Sequence, residues 1–175
     1  IGKDAGGGTW SNNAASHYNI GVGNYSLDAA MNGALRNSAL GMYSLSAVIG
    51  GSDNTGVGYG AGVAITSGLE NTCIGQHAGA VANTGNYNTF IGSYAGGVCT
   101  DGIRNTTLGR SASVGSSDAA NQTAIGYNCT AVDVDNTVTI GGAEVTAVYM
   151  AQDSGATVHA TNVTLEQGGL YKIGT

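Results

Sequence analysis

Proline is absent from this sequence of 175 residues, and charged side chains make up only 9% of it. A typical globular chain carries roughly a quarter charged residues, so an ordinary globular core is not favoured. Disorder requires high net charge and few β-formers, yet Val, Ile and Thr are plentiful. Aromatic residues are scarce, at 6%, whereas glycine occurs 31 times. Glycine together with Asn, Ser, Thr and Ala is typical of tight turns between short strands.

Cations are also scarce. The five Lys and Arg residues are scattered along the chain, and the net charge is −6. Nucleic-acid binding depends on clustered cations and is therefore not expected. No apolar run approaches the roughly 18 residues of a membrane span, so no membrane insertion is expected. No secretion signal is visible, but the chain starts at Ile1 within a copy of the motif described below, which is typical of a fragment or a processed form.

The three cysteines, Cys73, Cys99 and Cys129, form neither a disulfide framework nor a metal-binding signature. They fall at three different positions of the repeat described below, so stacking of the repeats does not bring them together. Such spacing is typical of small buried or surface residues. No metal and no other cofactor is therefore expected.

A short motif recurs every 17 residues through the middle of the chain. Its clearest mark is an aliphatic residue followed by glycine, and this aliphatic residue is called the anchor. The six regular anchors are Leu40, Val57, Ile74, Ile91, Leu108 and Ile125. Looser copies occur at Ile1, Ile20 and Ile140. Equal spacing indicates an all-β repeat fold, a β-solenoid or β-roll whose 17-residue coils stack about 4.8 Å apart.

The columns of the repeat carry further predictions. The anchor column is predicted to form a continuous apolar ladder that is the core of the stack. The Ser or Thr two residues before each anchor shares the anchor's face, because strand side chains alternate. An amide residue lies three before each anchor and is predicted to bond its equivalents above and below. This predicted ladder consists of Asn37, Asn54, Asn71, Asn88, Asn105 and Gln122.

The core counted in this way is small. Each coil supplies one large aliphatic anchor, one small residue four positions later, and a few weaker apolar positions. A single chain is therefore expected to be too lightly packed to stand alone, and obligate oligomerisation is predicted. Three segments are expected: irregular N-terminal repeats at 1–39, the regular array at 40–137, and a C-terminal β cap or neck at 138–175.

Some columns vary and are expected to face solvent, where partner recognition occurs on a regular scaffold. The second and third positions after the anchor are rich in aromatic residues. The candidates for surface recognition are Tyr43, Tyr59, His77, Tyr94 and Tyr127. A host cell-surface glycan or protein is a possible partner of such residues.

Residues 71–79 and 88–96 read Asn-Thr-Cys-Ile-Gly-Gln-His-Ala-Gly and Asn-Thr-Phe-Ile-Gly-Ser-Tyr-Ala-Gly. They resemble the NTAIGxxAG repeats of bacteriophage tail-fibre-domain proteins and are similar to the shorter head repeats of trimeric autotransporter adhesins. The resemblance covers roughly residues 17–141 and suits the phage-type arrays better. It implies an intertwined homotrimeric fibre. The tail-fibre group often carries a C-terminal chaperone domain that is removed by autocleavage, and residues 137–175 look like the neck before such a domain.

No enzyme active site is expected. His17, His77 and His159 are far apart in the repeat order, and no Ser-His-Asp or Cys-His arrangement follows from the spacing. Asp133 and Asp135 form a close acidic pair that could bind Ca²⁺, but the calcium-repeat pattern is missing, so a solvated turn is favoured.

The predicted function is a structural segment of a bacteriophage tail fibre or similar appendage, which supports attachment to the host cell surface. Its expected location is the virion or the extracellular space. The alternative is a bacterial surface adhesin or an extracellular filament subunit. A polysaccharide depolymerase and an ice-binding solenoid are less favoured, the latter because ice binding needs an exposed threonine ladder and the threonines share parity with the anchors.

Overall fold

The computed structural model describes residues 1–7, 16–146 and 148, which wind into a β-solenoid of about seven turns without a helix. Each turn contributes one strand of three residues. The strands are β1 (Ile20–Val22), β2 (Ser38–Leu40), β3 (Thr55–Val57), β4 (Thr72–Ile74), β5 (Thr89–Ile91), β6 (Thr106–Leu108), β7 (Thr123–Ile125) and β8 (Val138–Ile140). They pair in parallel, in chain order, as one sheet. The all-β solenoid predicted from the repeat is therefore confirmed.

Neighbouring strands pair with a constant offset in the middle of the stack. From β2 to β7 each residue pairs with the one 17 positions further on, as Thr55 does with Thr72. The offset is 18 residues from β1 to β2, where Val22 pairs with Leu40, and 15 from β7 to β8. The assignment of Ile20 as a copy of the anchor is therefore wrong, since Val22 occupies that place. Both residues precede a glycine, so the sequence alone allowed either alignment.

The interior of the coil is filled from the middle position of each strand, not from the anchors. The middle residues of β2 to β7 are all buried. The anchors point outward, because side chains alternate along a strand, and Leu40, Ile74 and Leu108 are 54%, 38% and 45% exposed. The prediction that the anchor column is the core is therefore wrong within the single chain. The most uniform aliphatic column lies outside, and the interior column varies too much to be recognised from the sequence.

The interior column varies because each coil combines large and small residues in its own way. The Phe90 ring is fully buried, and a Cβ added to Gly79 or Gly96 would lie within 2.7 Å of its atoms. Gly62 makes room for Leu45 in the same manner. Close packing requires complementary volumes rather than one repeated residue type. The core is thus larger than the sequence count suggested, and its largest buried apolar side chains are Leu27, Met31, Leu45, Val48, Ile65, Phe90 and Val114.

Each coil turns at corners where non-glycine residues adopt a left-handed backbone. One corner lies four residues before the anchor, where Tyr87 has φ 60°, and another lies three residues after it, where Tyr94 has φ 59°. Such conformations cost non-glycine residues about 1–2 kcal/mol. Bonds to the preceding coil hold both corners: the Tyr87 N–H donates to the Leu69 carbonyl at 2.9 Å, and the Tyr94 N–H donates to the Gln76 carbonyl at 2.8 Å. Stacking rather than local propensity therefore fixes these corners.

The glycine that follows each anchor is required by the stacking. Gly75 has φ +130°, and a Cβ added to it would lie 2.6 Å from the carbonyl carbon of Gly92 in the next coil. Gly75→Ala should therefore lower the free energy of unfolding by about 2–4 kcal/mol, through backbone strain and displacement of the neighbouring coil. Chemical denaturation measures this change.

Gly97→Ala is the matched control. Gly97 lies outside the left-handed region, and the nearest atom to an added Cβ would be the Tyr94 carbonyl oxygen at 3.5 Å. Its effect on the free energy of unfolding should stay within about 0.5 kcal/mol. If the two substitutions were equally destabilising, the glycine column would not be a stacking constraint.

Candidate interaction surfaces

A ladder of buried amide side chains runs along the inside of the solenoid. It comprises the fully buried residues Asn37, Asn54, Asn71, Asn88, Asn105 and Gln122. The Asn88 Oδ1 accepts the backbone N–H of Asn105 at 3.0 Å and its Nδ2–H at 3.1 Å. The Asn88 Nδ2 donates to Asn71 Oδ1 at 3.0 Å and to the Gly102 carbonyl at 2.7 Å. Every polar group of this side chain is therefore satisfied, as burial of an amide requires.

The ladder extends beyond the predicted set at one end and changes at the other. Asn19 accepts the backbone N–H and the Nδ2–H of Asn37 at 2.9 and 3.0 Å. Sequence reasoning missed it because the spacing is 18 residues rather than 17. Gln122 keeps the backbone bond to Asn105, but its longer side chain accepts the Gly115 N–H at 2.8 Å. Its buried Nε2 has no hydrogen-bond partner within the described ranges, so the ladder ends there.

Removal of one member should open the ladder on both sides. Asn88→Ala leaves the buried backbone N–H and one Nδ2–H of Asn105 without their acceptor, and the Gly102 carbonyl keeps only the bond from the Asn86 N–H. The free energy of unfolding should fall by about 3–5 kcal/mol, since each unsatisfied buried group costs about 1–3 kcal/mol. Thermal or urea unfolding measures this loss.

Asn86→Ala is the control for that substitution. The Asn86 Oδ1 also accepts a backbone N–H from the preceding coil, that of Leu69 at 2.8 Å, but the bond is exposed. Water replaces the lost partner, so a loss of about 1 kcal/mol or less is expected. Equal losses for the two variants would contradict a special contribution of the buried ladder.

The anchors and the residues two before them form a continuous outer surface, here called the anchor face. It consists of the first and third residues of β1 to β8, none of which is charged. Eight strands spaced about 4.8 Å apart make it about 34 Å long. Its aliphatic members are 62% exposed at Ile20 and 53% exposed at Ile140. Contiguous apolar surface on a folded chain is typical of interaction sites, which makes this face a candidate for one.

The threonine column lies on the anchor face and not in the core. Its members are half-buried: Thr55, Thr72, Thr89, Thr106 and Thr123. The expectation that they are buried with the anchors is wrong within the single chain, for the same reason of alternation. Each coil offers one threonine beside one aliphatic side chain. The face therefore combines a column of threonines with a column of aliphatic side chains.

The aromatic residues proposed for recognition lie in a second outer surface, here called the aromatic strip, formed by the second and third residues after each anchor. The residues singled out in it are Tyr43, Tyr59, His77, Tyr94 and Tyr127. Ring centroids in successive coils lie 5.0 to 6.1 Å apart from Tyr25 to Tyr94. The four tyrosines of this set are exposed, from 37% at Tyr43 to 63% at Tyr127, whereas His77 is half-buried. The sequence reasoning omitted Tyr25, which belongs to the irregular N-terminal spacing.

The column four residues before the anchor carries charge. Arg36 donates from Nε and Nη2 to the two carboxylate oxygens of Asp53 at 2.6 and 2.7 Å. This hydrogen-bonded pair holds the pKa of Asp53 below its ordinary value and raises the pKa of Arg36. The pair is exposed, so solvent screening leaves it a small effect on stability. Further along the same column, the Arg104 guanidinium lies 6.0 Å from the Tyr87 ring centroid.

The three cysteines are buried thiols, and none forms a disulfide. Cys73 occupies the interior position of β4, and the Cys99 Sγ accepts the Asn105 Nδ2–H at 3.7 Å. Burial raises the pKa of the Cys73 thiol to about 12 and that of the Cys99 thiol to about 11. Because the thiolate is the reactive form, these two thiols are unreactive at neutral pH in the folded chain.

The raised pKa of Cys73 should make stability depend on alkaline pH. The thiol ionises near pH 9.0 when unfolded and near pH 12 when folded. The unfolded chain therefore loses its proton first, and the stability contributed by burial of the neutral thiol is present below about pH 9 and lost as the pH rises toward 12. The urea concentration at the unfolding midpoint should fall between pH 8 and about pH 10. This fall should be larger for the native sequence than for Cys73→Ala. Identical pH dependence of the two would contradict this prediction.

The remaining polar clusters do not converge on a reactive centre. Ser116, Asp118, Asp133 and Asp135 line a concavity of about 340 Å³, in which Asp135 Oδ1 accepts the Ala120 N–H at 2.8 Å. In the part of the chain that the structure describes, no group of three or more His, Cys, Asp or Glu residues is placed to hold a metal ion. His159, one of the three histidines considered above, lies outside the described residues.

Comparison of the chain with protein-family models, curated proteins and solved structures found no match. Among the described residues there is no helix with the length and apolar character needed to cross a membrane. The resemblance to tail-fibre repeats therefore rests on the motifs of the sequence.

Proposed function

We propose that the chain is a structural segment of a bacteriophage tail fibre or similar appendage, assembled as a homotrimer, which supports attachment to the host cell surface. The anchor face is the observation that carries the proposal. It is uncharged, consists mainly of aliphatic and threonine side chains, and is about 34 Å long, and its outer side chains stay exposed or half-buried in the described part of the chain.

A second and a third copy of the same chain are the partners that fit this face. Each copy presents rungs at the same spacing of about 4.8 Å, so the aliphatic ladders of several copies interdigitate along their whole length. The tail-fibre resemblance supports three chains around a common axis. Burial at such an axis would also give the anchors the core position that they lack in the single chain.

The shape of the molecule supports a structural role. The in-register sheet forms a stack in which each coil contacts its neighbours along the axis, as in other solenoid proteins. The function we infer is to span distance and present surfaces, without enzymatic activity. The alternative of a bacterial adhesin or filament subunit shares this architecture. Neighbouring genes separate the two, since phage structural genes favour the first and a membrane-anchor gene favours the second.

Assembly through the anchor face is tested by changing two anchors. Ile74→Thr with Leu108→Thr should weaken assembly by about 1 kcal/mol or more per substituted side chain, because less apolar area is buried between copies. Analytical ultracentrifugation should show a trimer for the native sequence. On dilution, the variant should dissociate at protein concentrations at which the native trimer is still intact. A monodisperse monomer for the native sequence would overturn the proposal.

The matched control is Val81→Thr with Val98→Thr. These valines are 39% and 48% exposed, close to the values of Ile74 and Leu108, but they lie outside the anchor face. Their substitution should leave the association constant unchanged. Equal weakening by both pairs of substitutions would show that the anchor face has no special part in assembly.

A further inference from the structure

The aromatic strip contains a column of rings that is interrupted at one coil. From Tyr25 to Tyr94 every coil contributes a ring, and adjacent centroids are 5.0 to 6.1 Å apart. At the one coil in this run where the third position after the anchor is glycine, Gly60, the ring of Tyr59 from the second position fills the place, at near right angles to both neighbours. The strip is therefore an ordered ladder up to Tyr94.

The next coil breaks the ladder. Its third position is Ser111, which carries no ring, and its second position is Arg110, whose guanidinium lies 5.7 Å from the Tyr127 ring in the following coil. No aromatic ring of that coil therefore takes the missing place, and the Arg110 guanidinium lies beside Tyr127 instead. Tyr94 is 47% exposed, and the next ring, Tyr127, belongs to the coil two further along, about 9.6 Å away along the stack. The space over Ser111 between these two tyrosines is called the Ser111 notch.

The notch has the height of one ring. A ring inserted over Ser111 would lie about 4.8 Å from Tyr94, one coil spacing away, close to the 5.0 to 5.4 Å that separates the stacked rings lower in the ladder. The backbone beneath is already set, because Ser111 has φ 55° and Tyr94 has φ 59°. A ring at this place therefore requires no change of the backbone beneath it.

Charge selects the kind of ring. Between Asn24 and Asn128 the strip contains no carboxylate, whereas the acidic residues of this region of the stack lie on other columns, at Asp28, Asp53, Glu70, Asp101 and Asp118. Arg110 has no carboxylate partner among the described residues, and its Nη1 donates to the Tyr127 hydroxyl at 3.5 Å. A cation beside an aromatic face and a hydroxyl suits a ring that is apolar on its face, polar at its edge and negatively charged.

We propose that the Ser111 notch is a binding site for one pyranose ring of an acidic polysaccharide. The sugar face stacks on Tyr94, its carboxylate pairs with Arg110, and its hydroxyl groups bond to Ser111 and to the Tyr127 hydroxyl. Arg110 is a single cation at the notch, and the chain carries a net charge of −6. This does not suit nucleic acid, which requires many phosphate contacts. This inference rests on the proposed attachment function and names the chemical class of the host-surface ligand.

The site is tested with the full chain and three acidic probes, oligosaccharides of polygalacturonate, hyaluronan and polysialic acid, with dextran oligosaccharides as the neutral probe. Calorimetric titration should detect binding of at least one acidic probe and weaker binding of dextran. Tyr94→Ala should weaken acidic binding by about fivefold or more, since stacked pairs contribute about 1 kcal/mol. Arg110→Gln should weaken acidic binding by about tenfold and leave dextran unchanged, since its carboxylate bond is charge-assisted.

Ser111→Tyr gives the sharpest test. It fills the notch with a ring at a position whose equivalents already hold Tyr43 and Tyr94, so the coil should fold as before. Binding of the acidic probe should be lost while the unfolding midpoint is kept or raised. Arg104→Gln is the matched control for Arg110→Gln, because Arg104 also lies over a tyrosine ring but on the charged column. It should not change binding.

The outcomes separate this inference from the proposed function. A trimer that binds none of the acidic probes overturns the glycan site and leaves the fibre proposal standing. A monomer that binds an acidic probe through Tyr94 and Arg110 overturns the fibre proposal and supports the glycan site. If Tyr94→Ala dissociates the assembly while no probe binds the native sequence, the strip is a contact between chains. Preferential binding of single-stranded DNA, or equal affinity for dextran and the acidic probes, also overturns the site.

Discussion

The structure depends on hydrogen bonds that run from coil to coil at a fixed register, and the buried asparagine ladder sets that register. From Asn19 to Asn88 each Oδ1 accepts both a backbone N–H and an amide N–H from the coil that follows, as Asn88 does from Asn105. A shift of one residue would remove both acceptors and bury unsatisfied donors. The ladder therefore acts where a regular solenoid is otherwise prone to slip, since strands of three residues specify their own register weakly.

The composition follows from this arrangement. Proline would remove an N–H that many positions of a coil donate to the neighbouring coil, such as Gly75, His77 and Gly79, which disfavours proline in the described array. Glycine is required after the anchor, where the coils approach too closely for a side chain. At the left-handed corners the neighbouring coil bears the cost of the conformation, so residues as different as Glu70 and Tyr87 occupy equivalent places. Strict columns and variable columns thus have separate physical causes.

The repeat was sufficient to predict the β-solenoid and six residues of the amide ladder, because equal spacing requires equivalent places in a stack, but it missed Asn19. It was not sufficient to predict which side of the strand faces inward. Because side chains alternate along a strand, Thr72 and Ile74 lie on one face and Cys73 on the other, but alternation does not show which face is buried. The uniform aliphatic column suggested that the anchors are buried. The structure instead buries the middle residue of each strand, as the packing around Phe90 shows. The interruption at Ser111 likewise became visible only when the rings of adjacent coils were seen to stack.

The constant spacing of the coils also bears on how such a molecule changes in length. Duplication of any 17-residue unit inside the regular array adds one rung to the sheet, the asparagine ladder and both outer surfaces, and leaves every existing contact in place. An insertion of any other size has to be accommodated in a turn, as the 18-residue step at β1 is. The stack can therefore lengthen by whole coils while the residues of its variable outer columns change independently.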